Sequence, residues 1–142
     1  MTATDTVRAS IDSWNDADRQ SYLARYAEDC TITSPMVQGT GREGVAAFWA
    51  SIMDGMPDCR VETSLLLGEG DLVVEEAVAT GTNTGALRGP DGSEIPATGR
   101  VATTPFAAVH QVRGDEIISS RFYWDTMAFL EQLGLLPSPE AV

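Results

Sequence analysis

Four stretches with strand spacing, joined in pairs by tight turns, limit what this chain can fold into more than any other feature. Val61, Thr63, Leu65 and Leu67 alternate with Arg60, Glu62, Ser64 and Leu66. Gly68-Glu69-Gly70-Asp71 then supplies a hairpin turn, and Leu72 to Thr82 returns. The second pair runs from Val101 to Val112, turns at Arg113-Gly114-Asp115-Glu116, and continues from Ile117 to Trp124. Strands joined by turns this short pair antiparallel. Between the pairs, Asn83 to Gly99 carries Gly85, Gly89-Pro90-Asp91-Gly92 and Pro96, and reads as a long hairpin connection or flap.

Helical spacing comes before the strands. Val7, Ile11 and Trp14 mark a first helix, and Asn15-Asp16-Ala17-Asp18 punctuates it. Asp18 can cap a second helix bearing Tyr22, Leu23 and Tyr26. Thr31-Ile32-Thr33 is a short β-branched run ended by Pro35, and Gly39 to Gly44 reads as a loop. Val45, Phe48, Trp49, Ile52 and Met53 share one face of a third helix, stopped by Gly55 and Pro57. After the last strand, Met127, Leu130 and Leu133 mark a short helix ending at Gly134. The tail from Leu135 to Val142 holds two prolines. Helices followed by hairpin-linked strands imply an α+β fold, one domain over residues 1–142, with helices on one face of an antiparallel sheet. Such a sheet, strongly curved over its helices, leaves a cavity suited to a ligand.

Charge narrows the partners. Lys and Arg number 9 against 21 Asp and Glu, a formal net charge of −12. That surface repels phosphates and anionic headgroups, which argues against nucleic acid and membrane surfaces and leaves neutral or apolar small molecules open. Cys30 and Cys59 read as two buried free thiols. No apolar run is long enough for a bilayer, and Met1-Thr2-Ala3-Thr4-Asp5 lacks a secretory pattern, so the cytoplasm is the expected compartment.

Few residues offer chemistry. Gly39-Thr40-Gly41-Arg42-Glu43-Gly44 matches G-x-G-x-x-G, but the alternating βαβ units of a dinucleotide site are missing, so a turn is expected. His110 stands alone, without partners for a zinc or iron site. By parity it shares a strand face with Phe106, Ala108 and Val112, as a cavity group or as a satisfied core histidine. Asp125 ends the last strand beside Phe122, Tyr123 and Trp124. It is either the N-cap of the helix that follows or a general acid/base at the cavity, and position alone favours the cap. Trp14, Trp49, Phe106 and Trp124 are core aromatics that can also line a pocket. Ser34 has no histidine–acid partner in the sequence, so a serine hydrolase is unsupported.

These residues resemble the SnoaL-like polyketide cyclase family. The resemblance lies in Gly92-Ser93-Glu94-Ile95-Pro96-Ala97-Thr98-Gly99-Arg100, in Phe106-Ala107-Ala108-Val109-His110-Gln111-Val112, and in Phe122-Tyr123-Trp124-Asp125 leading into Phe129-Leu130-Glu131-Gln132-Leu133-Gly134-Leu135. Tyr26-Ala27-Glu28-Asp29 and Gly41-Arg42-Glu43-Gly44-Val45 extend it to the front of the chain. The family lies in the nuclear transport factor 2-like superfamily. Membership implies a cone-shaped, cystatin-like fold: a curved antiparallel sheet wrapped around N-terminal helices, with an internal pocket. It also implies a homodimer, and carboxylate acid/base chemistry without a cofactor.

On that resemblance Asp125 matches the end-of-strand aspartate that works as acid/base, and His110 matches a cavity histidine. Ser34 sits where ketosteroid isomerases have their general base, and Ala108 where many relatives carry an aspartate, which argues against such an isomerase. Ala77 and Ala79 replace the arginine and acid of epoxide hydrolases and weaken that alternative. The expected function is cofactor-independent cyclisation or isomerisation of a hydrophobic oxygenated metabolite such as a polyketide. Asp125 and His110 would be catalytic, and Trp14, Trp49, Phe106, Trp124 and Ser34 would hold the substrate. Apart from Asp125, the sequence suggests no pocket carboxylate, which leaves open a protein that only binds its ligand, or one whose sheet face binds another protein.

Overall fold

A computed structural model describes residues 1–89 and 91–136. Pro90 and most of the proline-bearing tail lie outside the described residues. The first helix, α1 (Ala3–Asn15), opens on a capping box in which Thr2 and Asp5 satisfy each other's backbone amides. It buries Thr6, Val7, Ser10, Ser13 and Trp14 along one stripe. Asp18 caps α2 (Arg19–Ala24) by accepting from the Ser21 amide.

Tyr26 is not on that helix. It opens strand β1 (Tyr26–Thr33), which is longer than the Thr31–Thr33 run suggested. The residues expected to form a glycine loop instead make strand β2 (Gln38–Thr40) and the start of α3 (Gly41–Met53). The glycines there have packing reasons. A Cβ on Gly39 would lie 2.6 Å from the Gly44 Cα, and one on Gly44 would lie 2.7 Å from the Gly39 carbonyl carbon. The strand and helix meet backbone to backbone, and only glycine permits that.

Strands β3 (Arg60–Glu69), β4 (Leu72–Thr82), β7 (Val101–Arg113) and β8 (Glu116–Trp124) are the expected two hairpins. The connection between the hairpins carries a small ribbon, β5 (Leu87–Arg88) with β6 (Glu94–Ile95). The main sheet runs β2-β1-β8-β7-β4-β3, antiparallel except for the β1–β8 pair. It is curved, with the N-terminal helices against it. Bulges at Ser64 on β3 and at Ile118 on β8, opposite Gln111 and Val112, interrupt the ladder, and such insertions bend strands.

The β3 bulge also corrects the simple alternation. It shifts the parity, so Val61 and Leu66 pack on the core while Leu65 and Leu67 face outward, 40% and 63% exposed. The last helix, α4 (Thr126–Gln132), buries Phe129 and leaves Met127 exposed. Gly134, at φ +74°, closes it with a bond from the Leu135 amide to the Leu130 carbonyl and another from Gly134 to Glu131. No helix among the described residues is long and apolar enough to cross a membrane.

Candidate active site

Alternation along β4 sends Val73, Glu75 and Ala77 to the same, inner face. On β7 the inner parity carries Ala102, Ala108, His110 and Val112. The register sets Glu75 opposite Ala108 and Val73 opposite His110, so Glu75 and His110 are diagonal neighbours within reach of long side chains. They meet: His110 Nε2 lies 2.8 Å from Glu75 Oε1. Both residues are 2% exposed.

The contact belongs to a longer chain. His110 Nδ1 lies 2.7 Å from Ser120 Oγ, directly across on β8. Ser120 Oγ lies 2.9 Å from the Tyr26 hydroxyl, and Tyr26 lies 3.4 Å from the Tyr22 hydroxyl. Helix α2 and strands β1, β8, β7 and β4 thus share one buried polar line. With a neutral imidazole, one consistent set of donors runs from Tyr26 to Ser120, from Ser120 to Nδ1 and from the Nε2–H to Glu75; a doubly protonated imidazole keeps the Glu75 bond and reverses the others. Burial raises the pKa of Tyr22 well above its usual value and that of Tyr26 to about 12, so both stay protonated and available as donors.

Glu75, His110 and Tyr22 line a cavity of about 80 Å³, counted as the space open to the centre of a water molecule. The rest of its wall is largely apolar and aromatic, with Trp14, Phe48, Phe106, Phe122, Trp124 and Phe129 prominent. Phe122 sets its ring edge-on to His110, at 5.7 Å and 84°, and stacks on Phe48 at 4.6 Å. Only Oε1 of Glu75 has a protein partner among the described residues. Its other oxygen is left for whatever occupies the hollow.

The residues singled out in the sequence separate into groups. His110, Trp14, Phe106 and Trp124 are brought together on the cavity wall. Trp49 is buried behind Trp14, their rings 4.8 Å apart, and does not reach the hollow. Ser34 is spent on a turn, where its hydroxyl accepts from the amides of Met36 and Val37. Asp125 is exposed, accepts from the Ala128 amide at 3.0 Å as the N-cap of α4, and is absent from the cavity wall. The structure therefore puts it where position alone suggested and not at the pocket. The pocket carboxylate that the sequence reading missed is Glu75. Its signal was the parity it shares with Val73 and Ala77, an acid among small apolar residues on one strand face.

The SnoaL-like domain profile matches residues 7–120. A proposed SnoaL-like polyketide cyclase from Jannaschia sp. CCS1 is 23% identical, with a TM-score of 0.81 over 95% of this chain and 93% of that one. IdmH from Streptomyces antibioticus, a proposed polyketide cyclase, is 25% identical, with a TM-score of 0.77 over 94% and 99%. A protein of ketosteroid isomerase-like fold from Catenulispora acidiphila, solved with trimethylamine, is 25% identical, with a TM-score of 0.76 over 94% and 97%. No curated protein sequence matches the chain significantly.

Proposed function

We propose that this chain, which belongs to the SnoaL-like family, is an enzyme that moves protons on an apolar, oxygenated small molecule, with Glu75 as acid/base. The observation that carries this reading is the Glu75–His110 pair on the wall of an otherwise greasy hollow. The apolar wall excludes competing water and brings the carboxylate directly against a carbon acid bound in the hollow. His110 holds the carboxylate in place and shares the charge. Ser120 and the two tyrosines hold the far side of the imidazole, so that its Nε2 stays aimed at Glu75.

The reaction class that suits this site is abstraction of a proton α to a carbonyl, followed by ring closure or by return of the proton elsewhere. One placed acid/base group contributes about 10²–10⁴-fold, enough for activated C–H acids. The comparison with proposed polyketide cyclases favours cyclisation.

The test is deuterium uptake at the α-carbon of a bicyclic ketone, 2-tetralone, followed by NMR in heavy water. Wild-type protein should accelerate uptake, Glu75→Gln should lose roughly 10²-fold or more, and Asp125→Asn should match wild type. Loss in Asp125→Asn with normal rates in Glu75→Gln would reverse the assignment. One observation favours a second reading, a protein that only binds its ligand. Both nitrogens of His110 already have partners, as in a purely structural polar cluster. That reading predicts ligand binding with no acceleration in any variant.

A further inference from the structure

Four side chains on the wall of the hollow carry oxygen, and two of them are already spent. Ser10 donates to the Val7 carbonyl at 2.7 Å, and the Tyr22 hydroxyl pairs with that of Tyr26. Glu75 gives one oxygen to His110 and keeps the other free. The fourth side chain is Thr104, whose hydroxyl has no partner among the described residues. The enclosed, unpaired polar atoms of the described residues belong to Trp14, Arg25 and Thr126, so the free oxygens of Glu75 and Thr104 both keep accessible surface. Thr104 is half-buried, and its strand parity, shared with buried Ala102, Ala108 and His110, turns it inward.

The register fixes how far apart these two side chains are rooted. Glu75 stands opposite Ala108 and Thr104 opposite Ala79, four positions along on both strands. At about 3.3 Å per residue that is roughly 13 Å of strand. The bond to His110, which stands opposite Val73, draws the Glu75 carboxylate away from Thr104 rather than toward it. One inner pair lies between, Ala77 with Phe106, and neither carries a hydrogen-bonding side chain. On the β8 side Phe122 is paired with Ala108 and Trp124 with Phe106, so aromatic rings flank the same stretch. Thr104 lies two residues beyond that last β7–β8 pair. The hollow thus has a carboxylate at one place, a hydroxyl farther along the sheet, and an apolar floor between them.

We infer that Thr104 is a specificity-determining residue whose hydroxyl holds a second oxygen of the ligand, at the far end of the skeleton from the carbon that Glu75 deprotonates. This rests on the cavity being the ligand site, as proposed above. It narrows the ligand class to an elongated apolar skeleton with an oxygen at each end. One activates the carbon at Glu75. The other is a carbonyl, ether or hydroxyl, because the Thr104 hydroxyl both donates and accepts. A ligand that ends in hydrocarbon at that point displaces water from Thr104 and leaves its hydroxyl without a partner.

The experiment uses a pair of nearly isosteric ketones, 2-acetyl-6-methoxynaphthalene and 2-acetyl-6-ethylnaphthalene, which differ at the remote end by an oxygen in place of a methylene. Neither has a donor for Glu75, so the pair reads the remote end alone. Their affinities for wild-type protein, Thr104→Val and Thr104→Ser are measured by calorimetry. The ratio of ether to ethyl affinity should fall roughly fivefold in Thr104→Val, because the ether alone loses a hydrogen bond. Thr104→Ser keeps the hydroxyl and should keep the ratio. Valine suits a strand as well as threonine does, and Thr104→Ala reads the same ratio should Thr104→Val fail to fold. An unchanged ratio in Thr104→Val or Thr104→Ala, or an equal fall in Thr104→Ser, would overturn the role of Thr104 while leaving the cavity as a ligand site. Binding of neither probe to wild-type protein would remove both the cavity reading and this inference. The assay reads binding only, so loss of turnover at Glu75 does not affect it.

Discussion

Two acidic residues mark opposite extremes of this molecule. Glu75 is 2% exposed on the inner face of β4, with one oxygen on His110 and the other turned toward an apolar hollow. Asp125 ends β8 beside a run of aromatics, yet it is exposed and gives an oxygen to the first turn of α4. Aromatic neighbours in sequence made Asp125 look like the pocket acid. What separates the two is the backbone each stands on. A residue inside a strand inherits the face that its parity dictates. A residue at a strand–helix junction is claimed by unpaired amides of the helix.

The comparison can be broken first through stability. His110→Ala leaves a buried carboxylate without its partner and should cost about 3–5 kcal/mol in chemical denaturation. A cost below about 1 kcal/mol would mean that water from the cavity replaces the imidazole, and that Glu75 is less isolated than its burial implies.

High pH offers a smaller blow, aimed only at the interior. Tyr26 is raised from 10.0 to about 12 by burial, and Cys59 from 9.0 to about 11. In both, the folded state holds its proton more tightly than the unfolded state. Their stabilisation is therefore complete below pH 9 to 10 and is lost as pH rises through the folded values. For Tyr26 alone the full loss is about 3 kcal/mol. Thermal unfolding should thus shift down steeply between pH 9 and 12, and in a Tyr123→Phe variant, which removes the one exposed tyrosine, tyrosinate absorbance should appear together with unfolding. Tyrosinate absorbance from Tyr26 in a folded protein at about pH 10 would contradict its burial in the polar line.

The smallest effects belong to the junction. Asp125→Ala should cost about 1 kcal/mol and Asp125→Asn only a few tenths, because asparagine caps a helix about as well as aspartate. Losses of several kcal/mol in the same denaturation series would show that Asp125 does more than cap.

Much of the fold was legible because it rests on local rules. The two hairpins announced themselves through alternation and turn residues, and α1, α3 and α4 through helical spacing. The failures have local causes too. Tyr26 kept helical spacing with Tyr22, but it opens a strand, where its hydroxyl bonds to that of Ser120. A bulge after Thr63 reversed the facing of Leu65 and Leu67, and no single residue type signals a bulge. The three glycines before Val45 look like a phosphate loop, while in the fold two of them let a strand and a helix touch. His110 could be placed on an inner face from parity alone. Its partner could not be named, because the diagonal that joins it to Glu75 depends on a register set by pairing across the sheet.

The most direct test follows the two carboxylates themselves while the hollow fills. In carbon-detected spectra with selectively labelled Glu and Asp, 2-acetylnaphthalene should shift the side-chain carboxyl signal of Glu75, assigned through Glu75→Gln, and leave that of Asp125 unmoved. A shift at Asp125 with Glu75 silent would contradict the account and return the acid to the end of the last strand.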